Sequence, residues 1–345
     1  MRSENFAAAF RPRPDKCRTR FDIGNRGEVK NIMSNLTVCV NAILPLFILI
    51  LLGWTLRKLR VVSETGFGAL NKLCFKLLIP AMLFYSVYTS DFSKSFSLKS
   101  VLFVVIGIVT LEMTVMLIVA KGLKKKGQPG VAITHALCHG NVAVVGLPLI
   151  TNMFGADGLA EYAIMSAFAT LTTNSLLVVL HEMADGNRGS IGKQIRGIVT
   201  SPLLIGTALG LVCNLLKVRF PVFLETSIKN IYQCSSPVSL IALGGSFVVT
   251  KEKADLRKIA ACTGIRCILI PAVLTAAAIL LGFRGVTLGA ILVIFGCPTA
   301  VSAYGFCAGY KCEPAFIAQT IVSTTALSIL TMFLWFFLYM QIGLV

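Results

Sequence analysis

Charge is scarce in this sequence, and acid is scarcest. Of 345 residues, 14% are charged, with 15 Asp or Glu against 32 Lys or Arg; an ordinary soluble domain is nearer a quarter charged. There are only three histidines. No CxxC pair and no HExxH run occurs. These absences argue against most enzymes. A membrane-embedded lipid-modifying transferase usually needs clustered carboxylates or histidines, and almost none lie at membrane depth. His135 and His139 stand at i and i+4, but the run HALCH lacks the glutamate of a zinc-protease helix and supplies too few ligands. No metal, cofactor or catalytic residue is expected. The eleven cysteines are odd in number and scattered through apolar segments, so they read as small inert fillers rather than a disulfide framework. Residues 1–34 lack any apolar stretch that could serve as a signal peptide. They read as a disordered or non-native extension of a protein that functionally starts near Met33.

What the chain does have is hydrocarbon. Hydrophobic residues make up 56%, the mean hydropathy is +0.81, and apolar runs of about twenty residues recur after residue 35. Each can cross a hydrocarbon core roughly 30 Å thick, and must do so as a helix because lipid offers no partners for the backbone. The expectation is an all-α integral membrane protein with ten transmembrane helices, at 36–56, 66–89, 98–120, 130–153, 158–181, 197–217, 225–249, 257–281, 286–309 and 314–341. The net charge of +17 does not point to nucleic acid. The Lys and Arg residues sit mainly in short connections, where charge sets topology. The partner is the lipid bilayer.

The halves resemble each other. Pro45-Leu46, Gly53, Arg60-Val61, Pro80, Ala143-Val144 and Ser166 match Pro202-Leu203, Gly210, Lys217-Val218, Pro237, Ala300-Val301 and Ser323, all at one offset of 157. Such a constant offset indicates an internal duplication. It divides the chain into 35–181, a linker 182–196 and 197–345. Five crossings is an odd number, so tandem copies enter the membrane from opposite sides, the inverted repeat of many secondary transporters. Basic residues cluster in the connections at Arg57–Arg60, Lys121–Lys126, Arg188–Arg196, Lys251–Lys258 and Lys311. The positive-inside rule makes that side, with the linker, cytoplasmic and puts both termini outside the plasma membrane. The basic residues within 1–34 oppose this assignment.

Two segments break helical rules at matched places. They are His139-Gly140-Asn141 through Pro148, and Gly296-Cys297-Pro298-Thr299 through Gly305. Proline removes a donor and glycine loosens a helix, so both should be interrupted within the membrane. Unwound backbone at that depth must be buried or line a cavity, and half-helix N-termini present donors suited to a carboxylate. Two kinked packing helices are the alternative.

The run GNVAVVGLPL resembles the fourth-helix motif of the auxin efflux carrier family, which includes plant carriers and bacterial organic-acid permeases. CPTAVSAYGFCAGY is similar to the ninth-helix motif, and LNKLCFKLLIPAMLF and IRCILIP also fit. The resemblance covers about residues 34–341. It implies five-plus-five inverted repeats, a scaffold of helices 1, 2, 6 and 7, and a mobile domain in which helices 4 and 9 cross. It also implies anionic substrates such as carboxylates. Ala143-Val144 and Ser302 depart from residues common in bacterial members. The site residues expected on this basis are Gly140, Asn141, Pro298, Thr299 and Ser302.

Ionisable residues inside helices are separate candidates for coupling or an ion pair. Lys76 either snorkels to the cytoplasmic face or meets the substrate. Glu112 and Arg266 lie at similar depth and could pair. Asn41, Asn71, Asn174 and Ser236 read as interhelical glue. The leading function is a secondary transporter for small organic anions by elevator-type alternating access. A lipid-modifying enzyme and a channel are the alternatives. Proton or sodium coupling and a homodimer are left open.

Overall fold

The computed structural model describes residues 20–90, 97–122, 127–184, 200, 202–247, 255–309 and 312–345. The first nineteen residues and most of the 182–196 linker fall outside these, as do Lys94, Lys124–Lys126, Lys251, Lys253 and Lys311. Among the described residues every element is helical: α1 Arg20–Lys58, α2 Glu64–Leu73, α3 Ile79–Tyr88, α4 Leu98–Leu117, α5 Gln128–Cys138, α6 Leu147–Ala184, α7 Pro202–Leu215, α8 Val222–Gly245, α9 Leu256–Gly264, α10 Ile270–Leu280, α11 Gly285–Gly296, α12 Ser302–Gly309 and α13 Pro314–Gln341. Each of the ten predicted windows contains helix. Six stretches are long and apolar enough to span a membrane, and Val142–Ala156, Pro202–Leu215 and Gly285–Gly296 are shorter apolar helices. Helix α1 begins at Arg20 rather than near residue 36. Extending an existing helix needs no new nucleus, so polar sequence can continue it.

Proline sets where the helices widen. Four π segments occur among the described residues: Cys74–Leu78, Ile118–Gly122, Val142–Gly146 and Ile265–Leu269. Three end two residues before a proline: Pro80, Pro148 and Pro271. A proline ring clashes with the carbonyl four residues back and leaves it without a donor. Widening the preceding turn accommodates that clash, and a π turn rotates the side chains beyond it.

Contacts recur at the offset of 157. Helices α1 and α8 pack together, as do α3 and α7. Gly53 meets the backbone of Ile241, and its counterpart Gly210 meets the backbone of Phe84, the counterpart of Ile241. Only glycine permits so close an approach. Arg57 donates to the carbonyls of Gly245 and Phe247 at 2.9 and 2.8 Å. Asn214, its counterpart, donates to those of Tyr88 and Ser90, the counterparts of Gly245 and Phe247, at 2.9 and 2.7 Å. Ser235 donates to the carbonyl of Leu78, the residue 157 positions before it, at 2.6 Å. Arg60 and Lys217, also a matched pair, both take left-handed backbone at φ 59° and 53° where α1 and α7 end. One non-glycine outlier is unremarkable; two at the same offset follow from one local fold used twice.

The surface is apolar where lipid would lie. Leu44, Ile48, Leu51, Leu102, Ile106 and Leu117 are exposed on α1 and α4. The interior combines a large apolar core with buried hydroxyls, among them Thr320, Thr324, Thr325 and Ser328 of α13. A cavity of about 1170 Å³ separates α4 from the α9–α10 column. Its lining is mostly apolar, with Asp255, Lys258 and Glu313 as the ionisable groups. That chemistry suits acyl chains better than a carboxylate.

Candidate functional site

Helix α5 stops at Cys138. His139 and Asn141 take non-helical backbone (φ −81°, ψ 89° and φ −81°, ψ 53°), and the chain rewinds at Val142. Helix α11 stops at Gly296, Cys297 is extended at φ −57° and ψ 146°, and α12 begins at Ser302. The two unwound stretches run antiparallel, with Gly140 paired opposite Thr299. Asn141 N–H donates to the Pro298 carbonyl at 2.8 Å, and Ala300 N–H donates to the His139 carbonyl at 2.8 Å. Buried backbone that leaves a helix must find other partners. Here each break supplies them to the other. Gly140, Asn141, Pro298 and Thr299 are therefore together, and the Ser302 hydroxyl lies 3.4 Å from His139 Nε2. All five residues expected at the site meet at this crossing.

Arg266 completes it. The residue lies in the π segment Ile265–Leu269 and is 1% exposed. Its Nε donates to the Cys297 carbonyl at 2.8 Å and its Nη1 to the Leu137 carbonyl at 2.9 Å. Thr299 Oγ1 donates to the Ala136 carbonyl at 2.8 Å, and Thr299 N–H donates to Thr324 Oγ1 at 3.1 Å. The C-terminal carbonyls of α5 and α11 would otherwise be orphaned at the negative ends of two helix dipoles. One guanidinium caps both helices. A Cβ on Gly140 would collide with Arg266 Nη2, so glycine is needed beside the guanidinium.

The Glu112–Arg266 ion pair expected from depth is not formed. Neither Glu112 oxygen nor Arg266 Nη2 has a hydrogen-bond partner among the described residues. The ion pairs found there are Arg57–Glu64 and Lys258–Glu313. The guanidinium gives one N–H from each of its other two nitrogens to carbonyls, which holds it in place. Arg266 and Thr173, the polar side chain beside Glu112, line a cavity of about 20 Å³ together with Cys138 and His139. That is room for one water. Lys76 is exposed on its helix.

Some participants escape sequence reasoning. The Tyr162 hydroxyl donates to the Val142 carbonyl at 2.8 Å, and Thr324 serves Thr299. His181 and Cys307 come to lie beside His135. Nothing in local spacing signals these, because each partner is at least 20 residues away. Asn141 is 4% exposed, and its amide nitrogen has no hydrogen-bond partner among the described residues.

An all-helical membrane protein with two broken helices meeting at buried, unwound backbone has the build of a transporter. Sequence comparison agrees: the chain matches the family described as membrane transport protein over residues 38–196 and 187–336. It belongs to that family, the auxin efflux carrier family whose motifs its fourth and ninth predicted helices resemble. It is 24% identical over 295 residues to an uncharacterized transporter of Methanothermobacter thermautotrophicus, an alignment covering 85% of this chain and 96% of the relative. It is 23% identical over 305 residues to an uncharacterized transporter of Methanocaldococcus jannaschii, covering 86% and 97%. The chain is thus a multi-pass membrane transporter.

Proposed function

We propose that this protein is a secondary transporter of small organic anions, chiefly carboxylates, with the substrate bound at the crossing of the two broken helices. The observation that carries this reading is Asn141: a buried amide donor without a hydrogen-bond partner among the described residues, set where the helix rewinds. An anion within a membrane is costly unless donors replace its water. Arg266 is held at this crossing by two backbone carbonyls, so neutral donors would share the binding with whatever its Nη2 can offer. Asn141 Nδ2, the first N–H groups of the rewound segments and the Ser302 hydroxyl are those donors.

Ten crossings in two inverted five-helix repeats, with both termini outside the plasma membrane, fit the recurring contacts at the 157 offset and the loop charges. Alternating access then follows as an elevator motion. The crossing, with α4, α5, α9–α12 and α13, moves against α1, α3, α7 and α8, whose glycine-mediated backbone contacts make a rigid scaffold. Glu112 supports coupling to a proton as the accompanying reading. A buried carboxylate with no cation paired to it among the described residues, one small cavity away from the crossing, is a place where a proton could be held.

The test is uptake of a panel of labelled carboxylates by proteoliposomes. Losing one neutral hydrogen bond costs about 0.5–1.5 kcal/mol, and leaving a buried group unpaired about 1–3 kcal/mol. Asn141→Ala should weaken substrate binding about tenfold with little change in thermal stability. Asn35→Ala, at the start of the first membrane stretch, should transport normally. Wild-type affinity in purified Asn141→Ala protein would return the crossing to a packing role.

A further inference from the structure

All three histidines of the chain converge on one buried place, together with a cysteine from the other half. His135 is on α5, His181 on α6 and Cys307 on α12, and each is fully buried. One ligand atom from each lies within 4.8 Å of the other two. The His135 and His181 rings are 4.9 Å apart, and those of His135 and His139 are 5.3 Å apart. We propose that His135, His181 and Cys307 form a binding site for a zinc-class divalent metal ion that ties α5, α6 and α12 together beside the crossing.

The argument rests on the ligand set and on what holds it. Two imidazoles and a thiolate form a borderline-soft set of the kind zinc takes, with Zn–N near 2.0–2.1 Å and Zn–S near 2.3 Å. Tetrahedral angles at those lengths put ligand atoms about 3.3–3.7 Å apart. Separations of up to 4.8 Å therefore need only a small inward adjustment on binding. The fourth position remains for water or a further side chain.

The surrounding hydrogen bonds set the tautomer at His181 and are compatible with the one a metal needs at His135. Gln128 Nε2 donates to the His181 carbonyl at 3.2 Å, which turns Gln128 Oε1 toward the ring. His181 Nδ1 lies 2.8 Å from that oxygen and must donate to it. Its Nε2 is then the nitrogen with a lone pair. On the other side His135 Nδ1 is 3.2 Å from His139 Nδ1, and His139 Nε2 is 3.4 Å from the Ser302 hydroxyl. These contacts can run in either direction; in the one where His135 donates to His139 and His139 to Ser302, His135 Nε2 is the ligand nitrogen. Metal-bound histidines almost always carry such an outer hydrogen bond. The same chain runs from the metal position through His139 to Ser302, so occupancy would fix the geometry of the crossing. Cys307 binds as thiolate and gives up its proton on metal binding.

The helix spacing of His135 and His139 alone argues against a metal, since it supplies two ligands on one face. The fold supplies the rest from 46 and 172 residues downstream of His135. This inference does not depend on the transported substrate.

The test uses the full chain in detergent, free of any polyhistidine tag, stripped with chelator and titrated with Co²⁺ and then Zn²⁺. We expect one Co²⁺ per chain with a thiolate-to-cobalt charge-transfer band. That band should disappear in Cys307→Ser, and zinc binding should weaken at least a hundredfold in Cys307→Ser and in His181→Ala. Gln128→Ala, which removes an outer contact, should weaken zinc about ten- to a hundredfold. Cys234→Ser, at an exposed cysteine, should bind as wild type does. Absence of the charge-transfer band in wild type, or equal binding by wild type and Cys307→Ser, would overturn the proposal and make the cluster a packing contact.

Discussion

Gly140→Ala is the sharpest probe of the crossing because its damage should depend on a single partner. The added methyl group would meet Arg266 Nη2 well inside van der Waals contact, while Arg266 Cζ and the Ile294 carbonyl oxygen stand at 3.4 Å, which is tolerable. The guanidinium would have to retreat by about 1 Å or more to restore ordinary contact. Its bonds to Cys297 and Leu137, now 2.8 and 2.9 Å, would then exceed hydrogen-bond range. Hydrogen bonds from a charged donor contribute about 1.5–3 kcal/mol each. Losing one costs about 2 kcal/mol, and losing both about 4 kcal/mol. Arg266→Met removes the same bonds but also the expense of burying a charge, so its net cost should fall below that sum. The decisive measurement is the double-mutant cycle, read as thermal unfolding of detergent-purified protein by size-exclusion fluorescence. If the methyl group acts only through Arg266, Gly140→Ala should cost nearly nothing in the Arg266→Met background, giving a coupling of about 2 kcal/mol or more. Additive effects of the two substitutions would refute the capping role assigned to Arg266.

Three further outcomes are expected. Glu112→Gln should keep or raise thermal stability, because an amide replaces a buried carboxylate that has no ion-pair partner among the described residues; uptake should also lose its pH dependence, and a marked fall in stability would contradict the absence of an ion pair. Gly53→Ala and Gly210→Ala should each destabilise by about 1–3 kcal/mol, since the obstacle in both is a carbonyl oxygen that cannot rotate away; tolerance of one but not the other would argue against equivalent roles for the two halves. Single cysteines placed in a cysteine-free background should be labelled by an impermeant reagent from outside at Arg284 and not at Lys58, and the opposite pattern would invert the proposed orientation.

The breaks were legible because proline and glycine act locally. Gly140 and Pro298 mark weak points whatever surrounds them, and the structure interrupts both helices there, with Pro148 following the π segment that rewinds the first. The window 130–153 reads as one helix in hydropathy, yet it contains α5, an unwound stretch, a π segment and the start of α6, because hydropathy measures burial and not backbone state. The offset of 157 read from single residues reappears in side-chain caps such as Arg57 and Asn214, whose chemistries differ. Sequence identity could not have matched that pair; shared geometry does. The fate of Arg266 was only half legible. Depth placed it near Glu112, but the choice between a carboxylate and two carbonyls depends on which helix ends come near, and spacing along the chain does not contain that. His181 and Cys307 were invisible for the same reason.

The crossing also has an electrostatic order that bears on its proposed substrate. Four half-helix ends meet there. The two C-terminal ends, from α5 and α11, are negative and carry exposed carbonyls. Arg266 and Thr299 answer the carbonyls of Ala136, Leu137 and Cys297. The two N-terminal ends, at Val142 and Ser302, are positive and carry orphan N–H groups, and the Asn141 cap makes no side-chain hydrogen bond there. With one pole answered by the guanidinium and the other left open, the crossing would suit the negative guest proposed above. Neutral donors at a helix start would hold the proposed anion and release it on either side, as the alternating access proposed above requires.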